Sequence, residues 1–373
     1  MRALFVNENI GGHRTVHLNL EQALKGSGIE ARFLHVPPSG LGRRVLGAAL
    51  PGLGRLDLDL QPLRAQLALS AIAAREIRRL EGTFDVLHVY TQNVALLAVG
   101  LLRRHPSVVS LDSTNSLNAY RLPYRKPTRW TPRALAVTVP IERRVYRAAT
   151  LVVAQSEYAA ASLRSDYGVP EDRLRVIPLG IGRPEPAPAP ARAEGLPGIV
   201  FVGTTMERKG GNRLLQVFEQ HLRERATLTL VTRDDVASTP GVQVIDDVVT
   251  GDGRIWSILR SAAIFAFPST IDQAPNAVFE AMAAGLPVVA VRTGALAEMV
   301  EDGVSGILID PGDDGRALLQ ALVALLDDPD LRARMGVAAL TRIQERFDAR
   351  GTTVVLAQAL EEARAIGVRA GGS

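Results

Sequence analysis

Ile199-Val200-Phe201-Val202-Gly203-Thr204-Thr205-Met206-Glu207-Arg208-Lys209-Gly210-Gly211 reads as a buried strand, a short glycine-bounded loop and the start of a helix. The apolar run ending at Gly203 does not alternate with polar residues, as expected of a strand covered on both faces by helices. A helix is expected to begin near Gly211 or Asn212. Glycines let backbone approach a ligand closely, and helix N-termini attract phosphate. Lys209, just ahead of that helix, is therefore well placed to meet a diphosphate. Taken alone, the segment reads equally well as an ordinary strand-to-helix turn with a solvated Lys-Arg pair.

The same unit recurs outward in both directions. Strands are expected at Ala3–Asn7, Ala31–Val36, Val86–Thr91, Val108–Leu111 and Leu151–Gln155, then at Ile199–Gly203, Leu228–Thr232, Val242–Ile245, Ile264–Pro268, Val288–Val291 and Gly306–Ile309. Helical periodicity lies between them, as in His17–Lys25 and Gln61–Arg79. Alternating strands and helices make parallel, doubly wound sheets. One run breaks the pattern: Arg183-Pro184-Glu185-Pro186-Ala187-Pro188-Ala189-Pro190-Ala191-Arg192. Alternating prolines continue neither a helix nor a central strand. The expected organisation is a Rossmann-like domain over residues 1–183, a Pro/Ala linker over 184–196, a second Rossmann-like domain over 197–350, and a terminal helix over 351–373 packing back on the first domain. Ligands of such sheets bind beyond the carboxyl ends of the strands.

Composition narrows the class. The 373 residues suffice for two cores, and 47% apolar with 5% aromatic residues is ordinary for an α/β protein. No stretch of 18 or more apolar residues suggests a membrane span. The N-terminus lacks the pattern of a signal peptide, and with no cysteine there are neither disulfides nor thiolate metal sites. A cytoplasmic protein is expected. Only Lys25, Lys126 and Lys209 are lysines among 43 basic residues. Residues 1–185 carry a net +10 and residues 186–373 a net −6. The positive excess gathers between Arg121 and Arg147, against the single acid Glu142. Such a stretch suits an anionic acceptor or an anionic lipid surface, or is simply a solvated arginine-rich face. Nucleic acid is not an expected partner.

A second segment carries chemistry. In Phe267-Pro268-Ser269-Thr270-Ile271-Asp272-Gln273-Ala274-Pro275-Asn276-Ala277-Val278-Phe279-Glu280-Ala281-Met282-Ala283-Ala284-Gly285-Leu286-Pro287-Val288-Val289-Ala290, a strand ends near Ser269 and a helix opens near Pro275 or Asn276. Asp272 stands on the loop and Glu280 about one turn into the helix, so the two address opposite ends of an elongated ligand. Asp272 also reads as a helix cap and Glu280 as half of an intrahelical pair. A carboxylate among Phe279, Ala281 and Met282 is costly unless something pairs with it.

With Lys209-Gly210, Asp272, Glu280, the run Glu280–Ala290, Thr293-Gly294, Glu298, Glu301-Asp302-Gly303, Gly306 and Asp310-Pro311, the chain resembles the retaining GT-B glycosyltransferases of family 4 (group 1) from Gly203 to about Asp310. Gly11-Gly12, Val86–Val89, Val152–Glu157 and Val176-Ile177-Pro178 extend the resemblance more weakly into the first half. It implies α/β GT-B architecture, two Rossmann-like doubly wound parallel-sheet domains facing across a cleft. It also implies transfer of a hexosyl-type group from a nucleoside diphosphate sugar, with retention of configuration and no metal or other cofactor. Glu280 then binds the ribose hydroxyls, Asp272 the donor sugar hydroxyls and Lys209 the diphosphate. The amides of Asn276, Ala277 and Val278, following Pro275, meet the diphosphate, as does the turn Gly203-Thr204; Gly11 and Gly12 face it from the first domain.

The chain departs from that pattern in three places. The first acid is Asp272 rather than the commoner Glu. Thr204 stands where the family has Arg, so a phosphate charge is missing unless Arg208 supplies it. Leu111-Asp112 stands where a His-Asp pair is usual, which leaves His13 or His17 to substitute. His13, Asp112, Arg121 and Arg125 are the acceptor-side candidates; the acceptor itself is not legible. A sugar-nucleotide epimerase of similar build and a non-catalytic sugar-nucleotide-binding protein are the alternatives, and a phosphorylase would need a much longer chain.

Overall fold

The computed structural model describes the chain except residues 9–11, 37–44, 46, 49, 51, 54–59, 121–126, 183–194, 250–252 and 372–373. Gly11, Arg121, Arg125 and most of the expected linker therefore lie outside the described residues. The rest divides into two compact units: Met1–Gly180 with Ala349–Ser373, and Ile181–Asp348.

The first unit is built on a parallel sheet of β1 (Arg2–Glu8), β2 (Glu30–Val36), β3 (Val86–Tyr90), β4 (Ser107–Leu111), β5 (Leu151–Ala154) and β6 (Leu174–Val176), in the order β2-β1-β3-β4-β5-β6. The second is built on β7 (Gly198–Val202), β8 (Thr227–Val231), β9 (Val242–Ile245), β10 (Ile264–Phe267), β11 (Val288–Val291) and β12 (Gly306–Ile309), in the order β12-β11-β10-β7-β8-β9. All pairings between these strands are parallel. The eleven strands expected from the sequence are present within one residue of their expected bounds. β6 was not expected, because three residues are too few to show a pattern.

The non-alternating strands are explained by burial on both faces. In β1, Leu4 and Val6 point into one apolar cluster with Val89, Leu111 and Ile77, while Ala3 and Phe5 point into another with Val86 and Val108. Leu356, Ala359, Leu360 and Ala363 of the terminal helix (Ala349–Gly371) complete the second cluster. That helix therefore covers one face of the first sheet.

In each sheet the strand order reverses once beside the first strand of the unit. β1 lies between β2 and β3, and β7 lies between β8 and β10. Loops leaving adjacent strands at such a reversal diverge to opposite faces and open a crevice between them. In the second unit those loops are the ones after β7 and β10, the two segments singled out above.

Candidate active site

The loop after β7 is tighter than its sequence suggests. Met206–Lys209 forms a single helical turn, closed by Gly210 at φ 81° before the helix Gly211–His221. The turn is held at its start by Asp234, whose carboxylate accepts from Met206 N at 2.6 Å. Two glycines seat Lys209. A Cβ on Gly203 would lie 2.9 Å from both Cβ and Cγ of Lys209, and one on Gly210 would lie 2.2 Å from the Pro268 carbonyl oxygen. The β7 turn can therefore close onto the end of β10 only with glycine at these positions. Lys209 Nζ ends 5.3 Å from the centroid of the Phe267 ring.

The loop after β10 supplies the counter-charge. Asp272 is only 4% exposed. Its Oδ1 accepts from Lys209 Nζ and, at 3.2 Å, from Arg208 Nη1; its Oδ2 accepts from the Ser269 hydroxyl at 2.6 Å. The next loop fixes its backbone. Ala295 N donates to Gln273 O at 2.7 Å, and a Cβ on Gly294 (φ 54°) would sit 2.6 Å from Asp272 O. Burial pulls the Lys209 amine below its ordinary range, against the opposing pull of Asp272. Ser269 and Asp234 were not anticipated from sequence. The signal for Ser269 was its place three residues before Asp272, at a strand end.

Pro275 precedes the helix Asn276–Ala283, whose first turn carries no side-chain cap. Val278 N already donates to Pro275 O at 3.0 Å, so of the three amides assigned to a phosphate this one has an internal acceptor. Glu280 is half-buried, and burial pushes its carboxyl up to about 7. Among the described residues its carboxylate has neither an ion-pair nor a hydrogen-bond partner. It is a desolvated acid, not half of an intrahelical pair. Thr204 is exposed.

The first unit holds a separate cluster at the carboxyl ends of β1, β3 and β4. His13, in the helix Gly12–Leu24, places Nε2 3.8 Å from Asp112 Oδ2 and Nδ1 4.0 Å from Glu8 Oε2. Burial opposes a charge on His13, but Asp112 and then Glu8 outweigh it and raise the imidazole above its ordinary value. Glu8 accepts from the Thr91 hydroxyl at 3.2 Å and from Asn93 Nδ2 at 3.3 Å. His17 does not join this cluster. It is buried against Phe33, His35 and Tyr90, neither ring nitrogen has a hydrogen-bond partner, and burial with neighbouring histidines drives it down to about 2. It is a neutral core residue.

Glu142, the single acid of the arginine-rich stretch, is also a core residue. It is 1% exposed and accepts from the Tyr167 hydroxyl and from Gln92 Nε2, and burial lifts its carboxyl to about 7. The outer face of the helix Thr131–Ala148 therefore displays exposed Arg133, Arg144 and Arg147 with Val137 and no acid of its own. Among the described residues no group of three or more His, Asp or Glu could hold a metal ion. No described helix is long and apolar enough to cross a membrane.

Residues 196–328 match the family model "Glycosyl transferases group 1", and residues 10–182 match "Glycosyltransferase Family 4". The chain is 27% identical to the MMP alpha-(1->4)-mannosyltransferase of Mycolicibacterium hassiacum, over 89% of each chain. It is 28% identical to the D-inositol 3-phosphate glycosyltransferase of Nocardia farcinica, over 88% of this chain and 80% of that one. Among solved structures, the sucrose-phosphate synthase of Thermosynechococcus elongatus superposes with TM-score 0.75 at 17% identity, over 98% of this chain and 100% of that one. Anabaena Alr3699/HepE, solved with UDP and glucose, superposes with TM-score 0.68 at 18% identity, over 97% of this chain and 100% of that one. These likenesses at low identity show the fold. With the two family models spanning both units, they establish that the chain belongs to the family 4 (group 1) glycosyltransferases of GT-B fold.

Proposed function

We propose that the chain moves a hexosyl group from a nucleoside diphosphate sugar to an acceptor hydroxyl, with retention of anomeric configuration and without a metal. The observation that carries this reading is that the loop after β7 and the segment after β10, which meet at the switch point of the second sheet, carry a half-buried lysine and an unpaired, desolvated glutamate. Lys209 and the start of the helix Asn276–Ala283 suit a diphosphate, and Glu280 suits the ribose hydroxyls. The Alr3699/HepE structure with UDP and glucose supports a nucleotide-sugar donor.

Cleaving the sugar–diphosphate bond leaves negative charge on the departing diphosphate and positive charge on the sugar. A cation and helix amides held in place before the reaction stabilise that leaving charge with little reorganisation. His13, with Asp112 and Glu8, is the acceptor-side cluster in this reading. The acceptor is anionic: one relative is named for D-inositol 3-phosphate, and the arginines of Thr131–Ala148 supply the matching charge. The same face suits peripheral contact with the anionic inner leaflet of a cytoplasmic membrane.

The test is to incubate purified protein with UDP-glucose or GDP-mannose, with and without an inositol phosphate acceptor. Release of the nucleoside diphosphate together with an NMR time course showing a retained anomer supports the proposal. An inverted product removes retention. Epimerised donor, or donor bound without turnover, favours the epimerase or the binding protein.

A further inference from the structure

Glu142 lies in the core of the first unit, where a carboxylate is costly unless donors converge on it. Three do, from separate parts of the chain. Gln92 Nε2, in the loop after β3, donates to Oε1 at 3.1 Å; the Tyr167 hydroxyl donates to Oε2; and the amide of Asn115, in the loop after β4, also reaches the carboxylate. Further bonds tie the two loops together. Gln92 Nε2 donates to Ser113 O at 3.2 Å, and the Tyr167 oxygen accepts from both Ser116 N and Ser116 Oγ at 3.2 Å. A carboxylate only accepts and has room for about four such bonds, whereas a glutamine of the same shape would set an NH2 group against one of these donors. The same two loops hold the acids beside His13. Thr91 and Asn93, flanking Gln92, both donate to Glu8, and Asp112 immediately precedes Ser113. At 3.8 and 4.0 Å from the ring nitrogens, neither acid hydrogen-bonds the imidazole. Their pull acts through space and follows where the loops are held. Tyr90, its ring centroid 5.1 Å away, and His17, one turn on, also face His13; Glu142 is not among the charges that act on it.

We infer that Glu142 and Tyr167 are positioning residues for His13: from the core they set the separation of the loops after β3 and β4, and with it the distances from the imidazole to Glu8 and Asp112. This rests on the reading of His13 as the acceptor-side group of a glycosyl transfer. What depends on the pair is whether an incoming acceptor meets His13 protonated or neutral. Neither residue touches the acceptor; both act through Gln92 and Ser116. The single acid of the arginine-rich stretch is then a strut under the acceptor side and takes no part in the charged outer face of its helix.

Histidine NMR titrations of wild type, Glu142→Gln, Gln92→Ala and Tyr167→Phe test this, with His13→Asn assigning the resonance and a thermal melt confirming that each variant is folded. In each variant the His13 midpoint falls by about one unit, the lower end of the ~1–3 units that an opposite charge within ~4–6 Å contributes. His105, which pairs with Glu81 and precedes the amino end of β4, titrates as in wild type. A His13 midpoint that stays in place in the folded variants while their melting temperatures drop overturns the inference and leaves Glu142 a purely structural acid. A shift in Glu142→Gln with none in Gln92→Ala or Tyr167→Phe also overturns it, because the charge at 142 then acts on the imidazole directly. Tyr167→Phe keeps the acid and removes only the tie to Ser116, so it decides the matter even if Glu142→Gln does not fold. The titration needs neither donor nor acceptor, so a protein that transfers no sugar refutes the acceptor-side reading by a separate result.

Discussion

Glu280→Gln should make the unliganded protein more stable, and increasingly so as pH rises. The wild-type carboxyl is raised by burial from 4.5 to about 7. The folded state then holds its proton where the unfolded chain has released it, so stability is fullest below pH 4.5 and falls as pH rises through about 7. A shift of about 2.5 units corresponds to ~3 kcal/mol at ~1.4 kcal/mol per unit. Gln keeps the shape and cannot ionise. From these two values the variant's advantage works out at about 1 kcal/mol at pH 5 and about 3 kcal/mol at pH 8. At ~2–4 °C per kcal/mol for a unit of this size, the gap in melting temperature should widen by roughly 4–8 °C across that range. Differential scanning calorimetry of both proteins at several pH values measures it. Using the difference between variant and wild type cancels the contribution of Glu142, which titrates in the same window. Saturating nucleoside diphosphate should shrink or reverse the gap, because the variant loses charged hydrogen bonds to the ligand worth ~1.5–3 kcal/mol each. A gap that is constant with pH, or that narrows toward pH 8, would refute the reasoning that Glu280 is an unpaired acid awaiting a ligand.

Other perturbations have equally definite outcomes. Lys209→Ala should lower kcat by ~10²–10³ in a donor-turnover assay, the usual cost of losing one preorganised charge partner. Gly210→Ala should destabilise the second unit by more than the ~1–2 kcal/mol of a left-handed backbone, since its Cβ also overlaps the Pro268 carbonyl, and chemical denaturation will read this. Tyr167→Phe should cost ~1–3 kcal/mol by leaving Glu142 without its hydroxyl partner, again by denaturation. Reversing Arg133, Arg144 and Arg147 to Glu should abolish co-sedimentation with phosphatidylserine vesicles, because each basic residue contributes ~1 kcal/mol near such a surface. Equal sedimentation of wild type with neutral and anionic vesicles would discard the membrane contact.

The fold was legible because both sheets are covered on both faces. Strands such as Ile264–Phe267 and Val288–Val291 have no solvent face and so read as continuous apolar runs between helical periods. β6 escaped notice because its three residues include Arg175, which bonds Glu362 of the terminal helix. The acid at 272 and the lysine at 209 were legible as types at a spacing. That they form an ion pair was not, because the contact joins residues 63 apart through two close glycine-dependent approaches. Burial of charge was the hardest feature to read. Glu142 stood out in the sequence only as the single acid of a basic stretch, and the packing of Tyr167 and Gln92 around it shows why a carboxyl sits there. His13 and His17 could not be ranked by sequence, since both follow the same loop; one meets Asp112 at the strand ends and the other turns into the core.

The central claim is that the switch point of the second sheet grips the donor. A crystal structure of the protein soaked with a nucleoside diphosphate tests it most directly. The account predicts the ribose hydroxyls on Glu280 and the phosphates on Lys209 and the start of the helix Asn276–Ala283. A nucleotide bound elsewhere, with Glu280 untouched and Lys209 still paired only with Asp272, would contradict it.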